Sequence, residues 1–166
     1  MQNVRKKEKN TAVIRKDRKV EIKDLTLVPN ISVGVFIIGD RINNYTDYPH
    51  VVERHKEKEF SYDSYMFLNQ DVILWVENKR IETIRCEKEC YWDGNNLIKM
   101  PIEKFLLTYN LIPDKLDNIY LLVNGKGQNQ QVYEFDNLGL QIWVWRKKIV
   151  TVLAANYQQI DNKDNS

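Results

Sequence analysis

The sequence predicts an α+β domain in which two tandem units, each a helix followed by an antiparallel β-meander, form one sheet with the helices on one face. Three observations lead there: a long internal match, a strand-and-turn rhythm within it, and apolar residues at helical spacing ahead of each copy.

The match comes first because a duplication sets the architecture. Shifting the chain by 68 residues lays Tyr65–Cys86 over Tyr133–Ala154, and eight of the 22 positions are identical: Tyr65/Tyr133, Phe67/Phe135, Asn69/Asn137, Trp75/Trp143, Val76/Val144, Lys79/Lys147, Ile81/Ile149 and Thr83/Thr151. Chance alone gives about one or two at ordinary residue frequencies. Within each copy, β-branched and aromatic runs of strand length are broken by polar turns, at 69–71 and 77–80 in the first and at 137–139 and 146–148 in the second. Each copy therefore reads as a three-stranded meander.

Ahead of the meanders, Ile38, Ile42 and Tyr45 fall at i, i+4, i+7, and so do Ile102, Leu106 and Tyr109, with Phe105 completing the second stripe. That spacing predicts a helix in each unit, and Pro101 suits the first turn of the second one. The second unit is about four residues longer, and 124–128, Asn-Gly-Lys-Gly-Gln, is where they fit. The two glycines around Lys126 suggest a phosphate loop only faintly, because strand-like sequence follows where a helix would be needed. The expected organisation is a basic leader at 1–19 and one domain at 20–166, with units at about 31–86 and 97–155.

Alternation separates the faces of the sheet. Val72, Leu74 and Val76, matched by Leu140, Ile142 and Val144, make a uniformly aliphatic face and are expected in the core. The other face carries Ile73, Trp75 and Glu77, matched by Gln141, Trp143 and Trp145. If that face is open, its tryptophans are candidate anchors for a partner, since Trp offers a large rigid area at low entropic cost. If the first thirty residues or a loop close over it, they are ordinary core. Trp92 and Asp93, between the units, extend the same candidate patch, and Glu134 and Asp136 give it an acidic rim. The candidate partner-binding set is thus Trp75, Glu77, Trp92, Asp93, Glu134, Asp136, Gln141, Trp143 and Trp145.

Signs of catalysis are few. His50 and His55 sit five apart in a charge-dense stretch that suits a solvated strand or loop better than a catalytic pair. Cys86 and Cys90 lack the spacing of a zinc knuckle, and no second ligand pair lies near. Asp and Glu are numerous enough that a paired-carboxylate site stays open as a residual reading, but the expectation is a non-enzyme without cofactor or metal.

The apolar content of 43% and aromatic content of 11% suit a chain that folds on its own. No apolar run approaches the ~18 residues of a bilayer span, no secretory signal follows the first charges, and two cysteines suit a reducing compartment. The chain reads as cytoplasmic. Residues 1–19 carry a net charge of +6 within an overall +2, leaving −4 on the rest. Such a leader could touch an anionic surface or simply be solvated.

The tandem helix-plus-meander pattern over 31–155 resembles the β-lactamase inhibitory protein and small outer-membrane-assembly lipoproteins. The stretch 127–153, with Tyr133, Phe135, Trp143 and Trp145, resembles bacterial immunity proteins of contact-dependent or polymorphic toxin systems. The resemblance implies a protein that neutralises a cognate toxin domain, possibly a nuclease, by protein–protein contact. Unlike the secreted inhibitor, this chain has no paired disulfides and no export signal, which favours a cytoplasmic one. The alternative is an RNA- or nucleoprotein-binding module that uses the basic leader and the aromatic sheet face.

Overall fold

Strand-forming runs separated by tight polar turns dominate the computed structural model, which describes residues 21–157. The basic leader lies outside the described residues. Eight long strands form one antiparallel sheet: β4 (His50–Lys56), β5 (Ser61–Phe67), β6 (Val72–Glu77), β7 (Arg80–Cys86), β10 (Lys115–Val123), β11 (Lys126–Phe135), β12 (Leu140–Trp145) and β13 (Lys148–Ala155). Their order across the sheet is β10-β11-β12-β13-β7-β6-β5-β4. Two four-stranded meanders thus meet at the centre, where β13 pairs antiparallel with β7 and Val152 lies opposite Cys86.

The turns explain the pairing. Asn78-Lys79, Arg146-Lys147 and Asn124-Gly125 all take positive φ at both positions. That is the two-residue turn whose twist matches that of the flanking strands. The two halves also share an irregularity. Trp75 faces Thr83 while Val76 faces Ile81, so Glu82 is extra; Trp143 faces Thr151 while Val144 faces Ile149, so Val150 is extra. Each bulge sharpens the local twist beside a tryptophan.

One face of the sheet is covered by short elements. They are β1 (Leu27–Val28), β2 (Ser32–Val33) and β3 (Phe36–Ile37) in a small sheet, a 3-10 turn at Ile42–Tyr45, a hairpin of β8 (Tyr91–Trp92) and β9 (Asn95–Asn96), and helix α1 (Ile102–Thr108). Between this cover and the sheet lies the core. Phe36, Phe67, Phe105, Leu74, Ile84, Leu140, Ile142 and Ile149 are all fully buried there. The aliphatic positions 72, 74, 76, 140, 142 and 144 point into it, and so do Leu25 and Leu27 from the chain ahead of the small sheet.

The fold is therefore mostly β, and the expected α+β arrangement of two helix-plus-meander units with helices over one face is corrected. Among the described residues α1 is the one α-helix of any length, and each meander has four strands rather than three. In the first half no helix can begin at Ile38. Gly39 N–H donates to Ile81 C=O (2.7 Å), Ile81 N–H to Asp40 C=O (3.0 Å) and Ile42 N–H to Lys79 C=O (2.9 Å). These bonds hold the backbone extended, and only a single 3-10 turn follows. The second half enters α1 through the same bonds: Lys99 to Ile149 (2.7 Å), Ile149 to Met100 (2.9 Å) and Ile102 to Lys147 (2.9 Å). There, a longer run of good helix formers continues the turn.

Asp40 fastens the first entry. It accepts from Arg41 N–H (2.8 Å) and from the Tyr45 hydroxyl (2.7 Å). The Tyr45 bond, foremost among these contacts, holds the Asp40 carboxyl below its usual range. Burial, with the Asp40 bond next, pushes the Tyr45 hydroxyl up to about 12.

Candidate binding face

The face of the sheet opposite the cover carries the side chains that alternate with the buried aliphatic ones. One row can be followed across all eight strands through the paired positions Lys115, Glu134, Gln141, Leu153, Arg85, Ile73, Met66 and Val51. The next row on the β10 side runs Asp117, Val132, Trp143 and Thr151. Val132 and Thr151 are buried although they face away from the core. They are the cross-strand neighbours of Trp143 on β11 and β13, and the bulge at Val150 falls beside this row.

Trp75, Trp143 and Trp145 share this face but form two patches. Trp75 on β6 and Trp143 on β12 are separated by three strand spacings, roughly 14 Å, with β7 and β13 between them. In the first patch Trp75 stacks on Tyr62 at 3.9 Å, and Tyr62 stacks in turn on His55 at 4.5 Å and on Phe60 at 6.1 Å. The indole N–H of Trp75 donates to Glu77 (3.2 Å). The ring is thus held from its face and its edge, yet it remains 38% exposed.

In the second patch Trp143 and Trp145 line a groove of about 690 Å³ whose walls include Leu121, Val123, Gln128, Gln130, Leu153 and Arg85. Trp143 Nε1–H donates to Gln141 Oε1 (3.4 Å), and Gln141 Nε2–H donates to Glu134 (3.1 Å). Arg146 lies over the Trp145 ring at 4.4 Å, a cation–π contact. Arg85 is paired with Glu87.

Beside this groove the surface is acidic. Asp114 accepts from the backbone N–H of Asp136 (2.7 Å), and Lys115 pairs with Asp117 at 3.3 Å. That bond, reinforced by the Asp117 and Glu134 charges, raises the Lys115 ammonium. Burial first, and then Glu134 and Asp136, raise the Tyr157 hydroxyl. Asp117, Glu134 and Asp136 thus all act on one lysine. Sequence reading missed Asp114, Asp117 and Tyr157, because the strand carrying Asp117 was not recognised and Tyr157 follows the last aligned position.

Of the nine sequence-predicted residues, the structure gathers Trp75, Glu77, Glu134, Gln141, Trp143 and Trp145 on the face opposite the cover, which no described residue covers, and sets Asp136 at its margin. Trp92 and Asp93 do not extend the patch. Trp92 belongs to the covering layer, stacked on Tyr109 at 4.1 Å and packed beside Phe105, while the Tyr109 hydroxyl donates to its carbonyl (2.8 Å). Asp93 is in the β8–β9 turn.

The remaining candidates do not converge. His50 lies opposite Phe67 and His55 opposite Tyr62, on the two different faces of β4. Cys86 and Cys90 are buried free thiols. Their mutual hydrogen bond and burial push Cys86 well above the ordinary thiol range, the opposite of activation. Among the described residues no group of three or more His, Cys, Asp or Glu side chains is placed to hold a metal ion, and no helix is long and apolar enough to cross a membrane.

Fold and face together define a class: an antiparallel eight-stranded sheet covered on one side, with tryptophans and an acidic margin on the other. Comparison with protein-family models, with curated proteins and with solved structures finds no match in any of the three.

Proposed function

We propose that this chain is a binding protein of the immunity or inhibitor type, which docks a basic protein partner, a toxin domain, on its uncovered sheet face. One observation carries this reading. Six of the residues singled out as partner-binding lie on a face that no described residue covers, and five of them, Trp75, Glu77, Glu134, Gln141 and Trp143, hydrogen-bond to one another in two groups. Rings held in place beforehand lose little freedom on binding, which is how tryptophans become hot spots. The carboxylates at 114, 117, 134 and 136 suit a cationic partner surface and would steer its approach. Two buried free thiols fit a reducing compartment, so the proposed site of action is the cytoplasm.

The nucleic-acid alternative has one observation in its favour, the stacked row His55, Tyr62 and Trp75 with Phe60 beside it. Its surroundings argue against it, because Glu77 holds the Trp75 indole and Glu53 lies beside His55. A phosphate backbone following those rings would meet carboxylates.

The test sequences the genes on either side of this one and co-expresses any toxin domain encoded there with the full chain; the absence of such a domain counts against the reading. The wild type should restore growth and bind the purified domain in calorimetry. Trp143→Ala should weaken binding by about 2 kcal/mol or more, roughly 30-fold. Rescue that ignores substitutions at both Trp75 and Trp143 refutes the reading. Copurification with material absorbing at 260 nm that is lost steeply with salt would point to the alternative.

A further inference from the structure

An antiparallel sheet that does not close has two edges, and this one treats them differently. At one edge β4 carries Glu53, Arg54, His55 and Lys56 in its seven residues, the usual protection against pairing with another chain. At the other, β10 spans nine residues, and from Asn118 to Val123 it has no charge at all. Among the described residues nothing pairs with its outer side. Of the four most exposed large apolar side chains of the described residues, Ile112 (89%), Leu122 (71%) and Tyr120 (66%) come from β10 or the segment leading into it, and Leu107 (82%) from α1.

The backbone specifies which groups are free. Asn124-Gly125 is a two-residue turn with positive φ at both positions, so the flanking Val123 and Lys126 are mutually hydrogen-bonded. Alternation then points the N–H and C=O of Leu116, Asn118, Tyr120 and Leu122 outward, away from β11. Beside them Tyr120 lies over Gly127, where any side chain would collide with its ring.

We infer that β10 is a self-association edge, pairing antiparallel with β10 of a second copy about a two-fold axis at Ile119. That axis is the midpoint of Lys115–Val123, so all nine residues of each strand take part. Leu116 then faces Leu122 of the second copy, Asn118 faces Tyr120, and Ile119 faces its own equivalent. Lys115 faces Val123 and Asp117 faces Leu121, so no like charges meet. The same operation on β4 would put its axis at Glu53 and bring that carboxylate against itself. Sequence and register therefore select one edge and reject the other, and the product is a continuous sixteen-stranded sheet. This inference is independent of the tryptophan face, which stays uncovered in the pair.

Sedimentation velocity of the full chain over a concentration series tests it. The wild type should show a reversible monomer–dimer equilibrium. Leu116→Lys with Leu122→Lys places like charges opposite each other twice and should raise the dissociation constant at least about ten-fold. Leu116→Glu with Leu122→Lys places opposite charges there and should restore most of the affinity. Both substituted side chains, Leu116 and Leu122, are exposed in the monomer, so melting temperatures should stay near the wild type. A wild type that remains monomeric overturns the inference, as does a dimer that both double variants leave intact or both abolish alike. A monomer whose amides at 116, 118, 120 and 122 resist hydrogen exchange also overturns it, since another segment of the chain would then occupy the edge.

Discussion

Leu74 and Trp75 are neighbours in sequence and lie on opposite faces of β6, so truncating each to alanine measures the two faces separately. Leu74 is fully buried between Tyr65 and Ile84, its cross-strand neighbours. Its removal leaves a cavity that the surrounding Phe, Ile and Leu side chains cannot close, at a cost of about 3–5 kcal/mol. Trp75 has solvent over part of its ring, so truncation admits water instead of leaving a void. What is lost is the stack on Tyr62 and the contact with Thr83. At about 0.2–1 kcal/mol for each cross-strand pair, the total is on the order of 1–2 kcal/mol. Urea unfolding followed by circular dichroism should therefore give Leu74→Ala a loss two to three times that of Trp75→Ala, with equal slopes. If Trp75→Ala costs as much as Leu74→Ala, the face is covered in the full chain and the proposed docking surface does not exist.

Three further outcomes follow from the geometry. The Tyr45 hydroxyl titrates near 12 in the folded chain against 10.0 for a free tyrosine. Its contribution to stability is thus complete below pH 10 and lost as the pH rises toward 12, and Tyr45→Phe should remove that part of the alkaline dependence in pH-resolved melts. Gly139 has φ +61°, and a methyl group there would strike the Ala155 carbonyl and the Asn30 side chain, so Gly139→Ala should cost more than about 2 kcal/mol in the same urea assay. Lys79 occupies the second position of a turn that favours Asn-Gly, so Lys79→Gly should stabilise by about 0.5–1 kcal/mol, read as a higher melting temperature.

What could be read in the sequence was whatever a period of two encodes by itself. The aliphatic triplets at 72–76 and 140–144 declare their buried face, and the polar turns after them mark the hairpins. The outer strands were harder. His50–Lys56 is an edge, charged along its length, and looks like a solvated loop; Lys115–Val123 is apolar on both faces and shows no alternation. The first predicted helix failed for another reason. Ile38, Ile42 and Tyr45 have helical spacing because each packs toward the same core, but the backbone between them is committed to Ile81 and Lys79 across the sheet. Spacing does not show that long-range demand. Trp92 was misplaced because its partner, Tyr109, lies 17 residues away on the far side of α1.

The two bulges tie the fold to the face. Each inserts its extra residue, Glu82 or Val150, in the strand opposite a tryptophan, and the strand twist increases there. Val132 and Thr151, the cross-strand neighbours of Trp143, are buried on this face, so part of the desolvation that docking would require has already occurred on folding. The indole nitrogens are engaged in the same way in both halves, each by the side chain two residues away on its own strand, Glu77 for Trp75 and Gln141 for Trp143. A partner docked here would meet two rings, Trp75 and Trp143, whose indole N–H groups already have acceptors. Under that condition apolar contact with an exposed tryptophan favours binding and is not consumed in ordering the site.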